Sequence, residues 1–202
     1  GNMNEVLKNI EKRRSIRVFR KKPIDENILL SILAAANNAP SAHNKQSWIF
    51  NVIKHKKKKE LIDLINKKRN EYQRPISTLL RMASRSISSA PVVISVSNTG
   101  ELIEHGGKTF KSDNIEEIND FFRTMEIQSS AAAVENLLLA AKSFGIGSVW
   151  LGILYIIKKD ILRFLNLSPQ GEFMAIIPIG YPLKKGSDIK KKSLELKVEY
   201  TE

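Results

Sequence analysis

Arg13, Arg14 and Arg17 flank Ser15 within a few residues. This is how a chain presents guanidinium forks and a hydroxyl to a phosphate. Read without a ligand, the same stretch is a solvated basic turn, and the two readings stand level. The loop from Ala39 to Ser47 offers Ser41, Asn44 and Gln46 beside Pro40 and Ala42. Its mixed donors and acceptors suit the polar edge of a heterocycle, although a turn that satisfies only its own backbone uses similar residues. Gly145-Ile146-Gly147 resembles a nucleotide-binding glycine loop in the wrong order. A dinucleotide fingerprint follows a strand and opens a helix, whereas this one follows a helix and opens a strand, so a Rossmann reading is rejected. His43, His55 and His105 stand apart in sequence, with no carboxylate or second histidine at ligand spacing, and read as surface residues. No nucleophile-elbow motif supports a serine triad.

Composition narrows the classes. The chain has 202 residues, 42% hydrophobic and 27% charged, enough for one domain with a sizeable core. Without cysteine it has no disulfide, thiolate nucleophile or Cys-based metal centre. No apolar run is long enough to span a bilayer, and no signal peptide is recognised, so the cytoplasm is the expected location. Gly1-Asn2 reads as an expression remnant ahead of a native start at Met3, leaving residues 3–202 as one domain. The formal charge of +12 attracts polyanions. Yet the runs Lys56 to Lys59 and Lys190 to Lys192 lack interleaved aromatics that would stack bases. Solvated surface is expected for the first run, and phosphate-bearing small molecules suit the field equally well.

These groups need elements to hold them. Ile127, Ala131, Val134, Leu138 and Ala141 recur at helical spacing, and Leu137, Leu139 and Ala140 widen the stripe, which predicts a long helix buried on most sides. It begins between Ile115 and Phe122, and Gly145 is its left-handed stop. Small residues from Ser129 to Ala133 would permit close approach of another backbone. A strand over Ser148 to Leu151 then delivers Trp150, Leu151 and Gly152 to the site. Upstream, helices are expected over Asn4 to Lys12, from Asp25 as N-cap to Asn38, and over Lys58 to Tyr72 and Ser77 to Ser89. Strands are expected over Trp48 to Lys54, Val92 to Val96 and Phe173 to Ile179, with another helix over Lys158 to Leu165. Ser97 to Asp113 reads as a polar surface excursion, and Leu194, Leu196, Val198 and Tyr200 alternate like a strand. Single strands between helices argue for α/β or α+β with a modest central sheet.

Taken together and in order, the segments resemble the nitroreductase family of flavin enzymes. The resemblance rests on Arg13 to Phe19, Ala39 to Trp48, the alanine-rich helix into Gly145 to Gly152, and Pro178-Ile179-Gly180-Tyr181-Pro182. It covers nearly the whole chain. It implies an α+β fold whose central sheet is mixed but mainly antiparallel and flanked by helices, in an entwined homodimer with FMN at each of two interface sites. Arg13, Ser15 and Arg17, with Arg14 beside them, would contact FMN from one subunit. Lys191, with Lys190, would add phosphate contacts from the tail. Pro40, Ser41, Ala42, Asn44 and Gln46 would reach across from the other subunit, and Trp150, Leu151 and Gly152 would lie against the ring. The sequence departs from the pattern at Ser47, where proline is usual before the tryptophan, and in the tail, where arginine is commoner than lysine.

The resemblance implies ping-pong hydride transfer from NADH or NADPH through FMN to a nitroaromatic, quinone or similar electrophile. The chemistry would belong to the cofactor, with Arg17 as a fixed cation facing developing charge and no side-chain acid or base. No residue is a readable determinant of NADH against NADPH. One alternative is a dedicated flavoenzyme of the same fold, for reductive dehalogenation or flavin fragmentation, with the 97–113 excursion as its lid. A more remote one is a basic nucleic-acid-binding module, whose affinity would fall steeply with salt.

Overall fold

The computed structural model describes residues 2–111 and 114–202. Gly1, and the last two residues of the expected excursion, Ser112 and Asp113, lie outside the described residues. Four strands, β1 (Trp48–Ile53), β2 (Val92–Asn98), β3 (Gly147–Ser148) and β4 (Phe173–Gly180), form a sheet in the order β1-β2-β4-β3. Each pairing is antiparallel. The parallel element is an isolated bridge between Ser15 and Ser148, which binds the arginine segment to the sheet.

Both central strands are buried along their whole length. Alternation sends their side chains to two cores. Val92, Ile94 and Val96 of β2, with Ala175, Ile177 and Ile179 of β4, pack under α2 (Glu26–Asn37) and α6 (Ile115–Ser143). Val93 and Ile176 face the other way, towards α3 (His55–Arg69), α4 (Ile76–Ser89), the 3-10 turn Gly152–Ile157 and α7 (Lys158–Phe164). A sheet covered on both faces explains why these strands read as continuous apolar runs.

The helix ends obey local chemistry. Asn4 caps α1 (Glu5–Lys12) by accepting from the Leu7 N–H, and Asp25 caps α2 by accepting from Asn27. Gly145, at φ 74°, stops α6 as expected. Along α6 the predicted stripe is buried at Val134, Leu137, Leu138 and Ala141, while Ile127, Ala131 and Ala140 are partly covered.

The structure corrects the sequence reading in four places. α3 starts at His55, so the lysine run lies in its opening turns rather than ahead of it. Strand β3 ends at Ser148; beyond it a lone bridge joins Leu151 to Ile176, and the chain turns into 3-10 geometry at Gly152. The excursion begins with β2, which runs on to Asn98, and holds a helix, α5 (Glu101–Thr109), against α6. There Gly106 lies flat on Phe122: a Cβ at Gly106 would come within 2.2 Å of that ring. Finally, the tail is no strand. Leu194–Lys197 forms a 3-10 turn with Leu194, Leu196, Val198 and Tyr200 exposed, and among the described residues no strand pairs with it.

Candidate active site

The arginine segment leaves α1 at Arg13, whose N–H still bonds back to Asn9, and continues extended. The Ile16 N–H donates to the Ser148 carbonyl at 2.9 Å, and the Arg17 carbonyl accepts from Ser86 Oγ. Ile16 is buried on Gly147, where a Cβ would approach its side chain to 2.8 Å. Arg14 turns to the same side as Ile16: Gly186 of the tail packs on both, and the Arg14 guanidinium donates to the Glu11 and Arg13 carbonyls. Ser15 and Arg17 fall on the other side by alternation. Arg17 is exposed, and among the described residues neither it nor Arg13 is ion-paired.

The Pro40 to Gln46 loop folds as a 3-10 turn over Ala42–Asn44. His43, Asn44 and Gln46 hold φ of 52°, 51° and 49°, a region that costs non-glycine residues energy and clusters at functional sites. The loop is held from beneath. Ser129 Oγ accepts from the Ala42 N–H, Ser41 Oγ accepts from the Gln46 N–H, and Trp48 Nε1 donates to Asn37 Oδ1. Its outward groups, Asn44 and Gln46, are exposed and bonded to each other at 2.8 Å.

Three features of this region escaped the sequence reading. Glu126 is fully buried on α6; it accepts from Ser47 Oγ and from the Leu102 N–H at the start of α5. The serine at position 47 therefore anchors the loop to a carboxylate. Its only sequence signal was the departure from proline. His43 and His105 are not isolated: their rings lie 5.3 Å apart, 6.4 and 6.2 Å from Phe122, so α5 leans over the loop. At the back of the region Arg123 Nε donates to Glu172 at 2.7 Å, and this partner raises the Arg123 pKa.

Trp150 is half-buried, with Nε1 donating to the Met174 carbonyl; Leu151 is buried. Gly152 is exposed, and a Cβ there would meet nothing within 4 Å. The main chain after Trp150-Leu151 is thus an uncovered ledge that internal packing does not require. Lys190 and Lys191 are exposed on the tail, outside any helix or strand.

The structure does not bring all these groups together in one chain. The Pro40 loop is tethered at Ser129, midway along α6, while Arg13 and Arg14 share a cavity with Lys142 at the C-terminal end of the same helix. At about 1.5 Å per residue, Ser129 and Lys142 stand roughly 20 Å apart. Among the described residues no group of three or more His, Asp or Glu side chains is placed to hold a metal ion, and no helix is long and apolar enough to cross a membrane.

The chain is 30% identical over 182 residues to an Archaeoglobus fulgidus protein with the provisional name NADH dehydrogenase/NAD(P)H nitroreductase, covering 89% of this chain and 87% of that one. A 5,6-dimethylbenzimidazole synthase of Rhodospirillum rubrum is 26% identical, over 84% of this chain and 78% of its own. Among solved structures, a provisionally named nitroreductase in complex with FMN from Desulfovibrio desulfuricans superposes with a TM-score of 0.72 at 27% identity, covering 99% of each chain. The profile of the nitroreductase family matches residues 10–181, and the chain belongs to that family.

Proposed function

We propose that this protein is an FMN-dependent oxidoreductase that passes hydride from NADH or NADPH to a nitroaromatic, quinone or similar electrophile by a ping-pong cycle. It acts as a homodimer with two interface sites. The observation that carries the reading is the separation of the two half-sites along α6. A self-complementary pair, with each copy giving its arginine face to one site and its Pro40 loop to the other, would complete both.

The residues present fit FMN. Among the described residues Arg13 and Arg17 are cations without an ion-pair partner, suited to a phosphate and to a ring that gains negative charge. Lys190 and Lys191 add mobile-stemmed cations for the phosphate. Ser15, Ser41, Asn44 and Gln46 supply hydrogen-bonding groups, Pro40 and Ala42 shape the loop, and the ledge of Trp150, Leu151 and Gly152 leaves room for a flat ring. FMN, when bound, supplies the hydride-accepting and hydride-donating centre. The chain's own task is to bind, orient and stabilise charge, with Arg17 aimed where that charge develops.

A second reading is a dedicated flavoenzyme of the same fold. It is favoured by α5, whose His105 lies against His43 of the loop and against Phe122 of α6, as a short lid would. A visible absorption spectrum of the purified protein, taken before and after anaerobic NADH or NADPH, separates the readings. Bands that bleach with either nucleotide support the oxidoreductase and identify its donor. Bands that persist favour the dedicated reaction, and no bands after incubation with FMN would reject both.

A further inference from the structure

The side of the arginine segment facing away from Ser15 and Arg17 borders a cavity of about 470 Å³. Lys12, Arg13, Arg14, Lys142 and Lys185 line it, with Asp188 as the carboxylate among its lining residues. Gly147 and Gly186 form close-packed backbone against Ile16 and Arg14, so the walls are built by the fold rather than by long side chains alone. Among the described residues none of these five cations forms an ion pair.

Helix ends explain part of this charge. Both α1 and α6 end here, and each C-terminus is equivalent to roughly −0.5 charge. Asp188 offsets one cation and the two helix ends together about one more. Roughly three positive charges remain, about two once Arg13 is given to the flavin phosphate, gathered around a volume within the range of small-molecule sites, about 300–1,000 Å³.

We propose that this cavity binds the phosphate chain of a nucleoside di- or triphosphate, apart from the face that carries Ser15 and Arg17. Arg13 borders both regions. Arg14, which the family resemblance places beside FMN, serves this second site, its guanidinium held by the Glu11 and Arg13 carbonyls. A bound polyphosphate neutralises the surplus charge at the junction of α1, the end of α6 and the root of the tail, and so ties those three segments together.

The test is calorimetric titration of the flavin-loaded protein with ATP and with inorganic tripolyphosphate at near-physiological salt, which screens diffuse surface attraction. Saturable binding of one equivalent per chain is expected. It should weaken at least tenfold in the Lys142→Glu/Lys185→Glu variant while the flavin spectrum is unchanged. If charge reversal impairs folding, Lys142→Gln/Lys185→Gln reads the same loss at smaller amplitude. No saturable binding, or equal affinity in the variants, overturns the proposal. Binding only after flavin removal would make the cavity part of the flavin site, and binding of a short RNA but of neither polyphosphate would replace the ligand class; either result also overturns it. A chain that takes up no flavin can be titrated as purified, so failure of the flavin reading is read separately.

Discussion

Ser47 donates its hydroxyl to the carboxylate of Glu126, which is fully buried and also accepts from the Leu102 N–H. One side chain of α6 thus fixes both the root of the Pro40 loop and the start of α5. Removing either partner leaves a buried group unsatisfied, at a cost of roughly 1–3 kcal/mol. Ser47→Ala should lower stability by that amount, and Glu126→Ala by more. In urea unfolding the double variant should lose less than the sum of the two, because the second change removes an already broken contact. Additive losses would show that the two groups act independently.

Gly106 meets the Phe122 ring with no space for a methyl group. Gly106→Ala gains helix propensity of at most about 1 kcal/mol, but overpacking costs about 1–3 kcal/mol or more. The clash wins. We expect a lower urea midpoint and, because α5 carries His105 towards His43, a changed KM for bulky acceptors. A midpoint equal to that of the parent would show that α5 shifts freely.

Arg17 is exposed and not ion-paired among the described residues, so its loss should cost little folding stability. Arg17→Ala should slow reduction by the nicotinamide by on the order of 10²-fold, the scale for losing one charge-stabilising donor. FMN affinity should fall less. Stopped-flow reduction beside fluorescence titration of FMN separates the two effects, and an unchanged reductive rate would remove Arg17 from its role.

Lys58 donates to the Ala90 carbonyl at 2.7 Å, and desolvation lowers its pKa below 10.5. Its depressed pKa means the folded state releases this proton at lower pH than the unfolded state. Between the folded pKa and 10.5 the unfolded chain binds more protons, so this residue's contribution to stability increases with pH. Relative to Lys58→Met, the parent should therefore gain stability as pH rises towards 10.5. A parallel pair of stability curves over that window would contradict the assignment.

The sequence by itself determined the elements whose signals are local. Asp25 and Gly145 marked helix ends because a cap and a left-handed stop are properties of single residues. The stripe on α6 and the apolar runs of β2 and β4 followed from periodicity, and the ordered motifs carried the family. Where burial was decided at a distance, sequence reading failed. The tail's alternation predicted a strand, but a strand needs a partner strand, and among the described residues none pairs with the tail. His43 and His105 are far apart in sequence, and only the packing of Gly106 on Phe122 brings α5 close enough for their rings to meet. Glu126 looked like one more charged residue on a long helix. Folding alone gave it Ser47 and Leu102 as partners, and the same folding set the Pro40 loop at the middle of α6 and the cavity beside Arg13 and Arg14 at its C-terminal end, because hydrogen bonds and close packing are made between segments that sequence spacing does not relate.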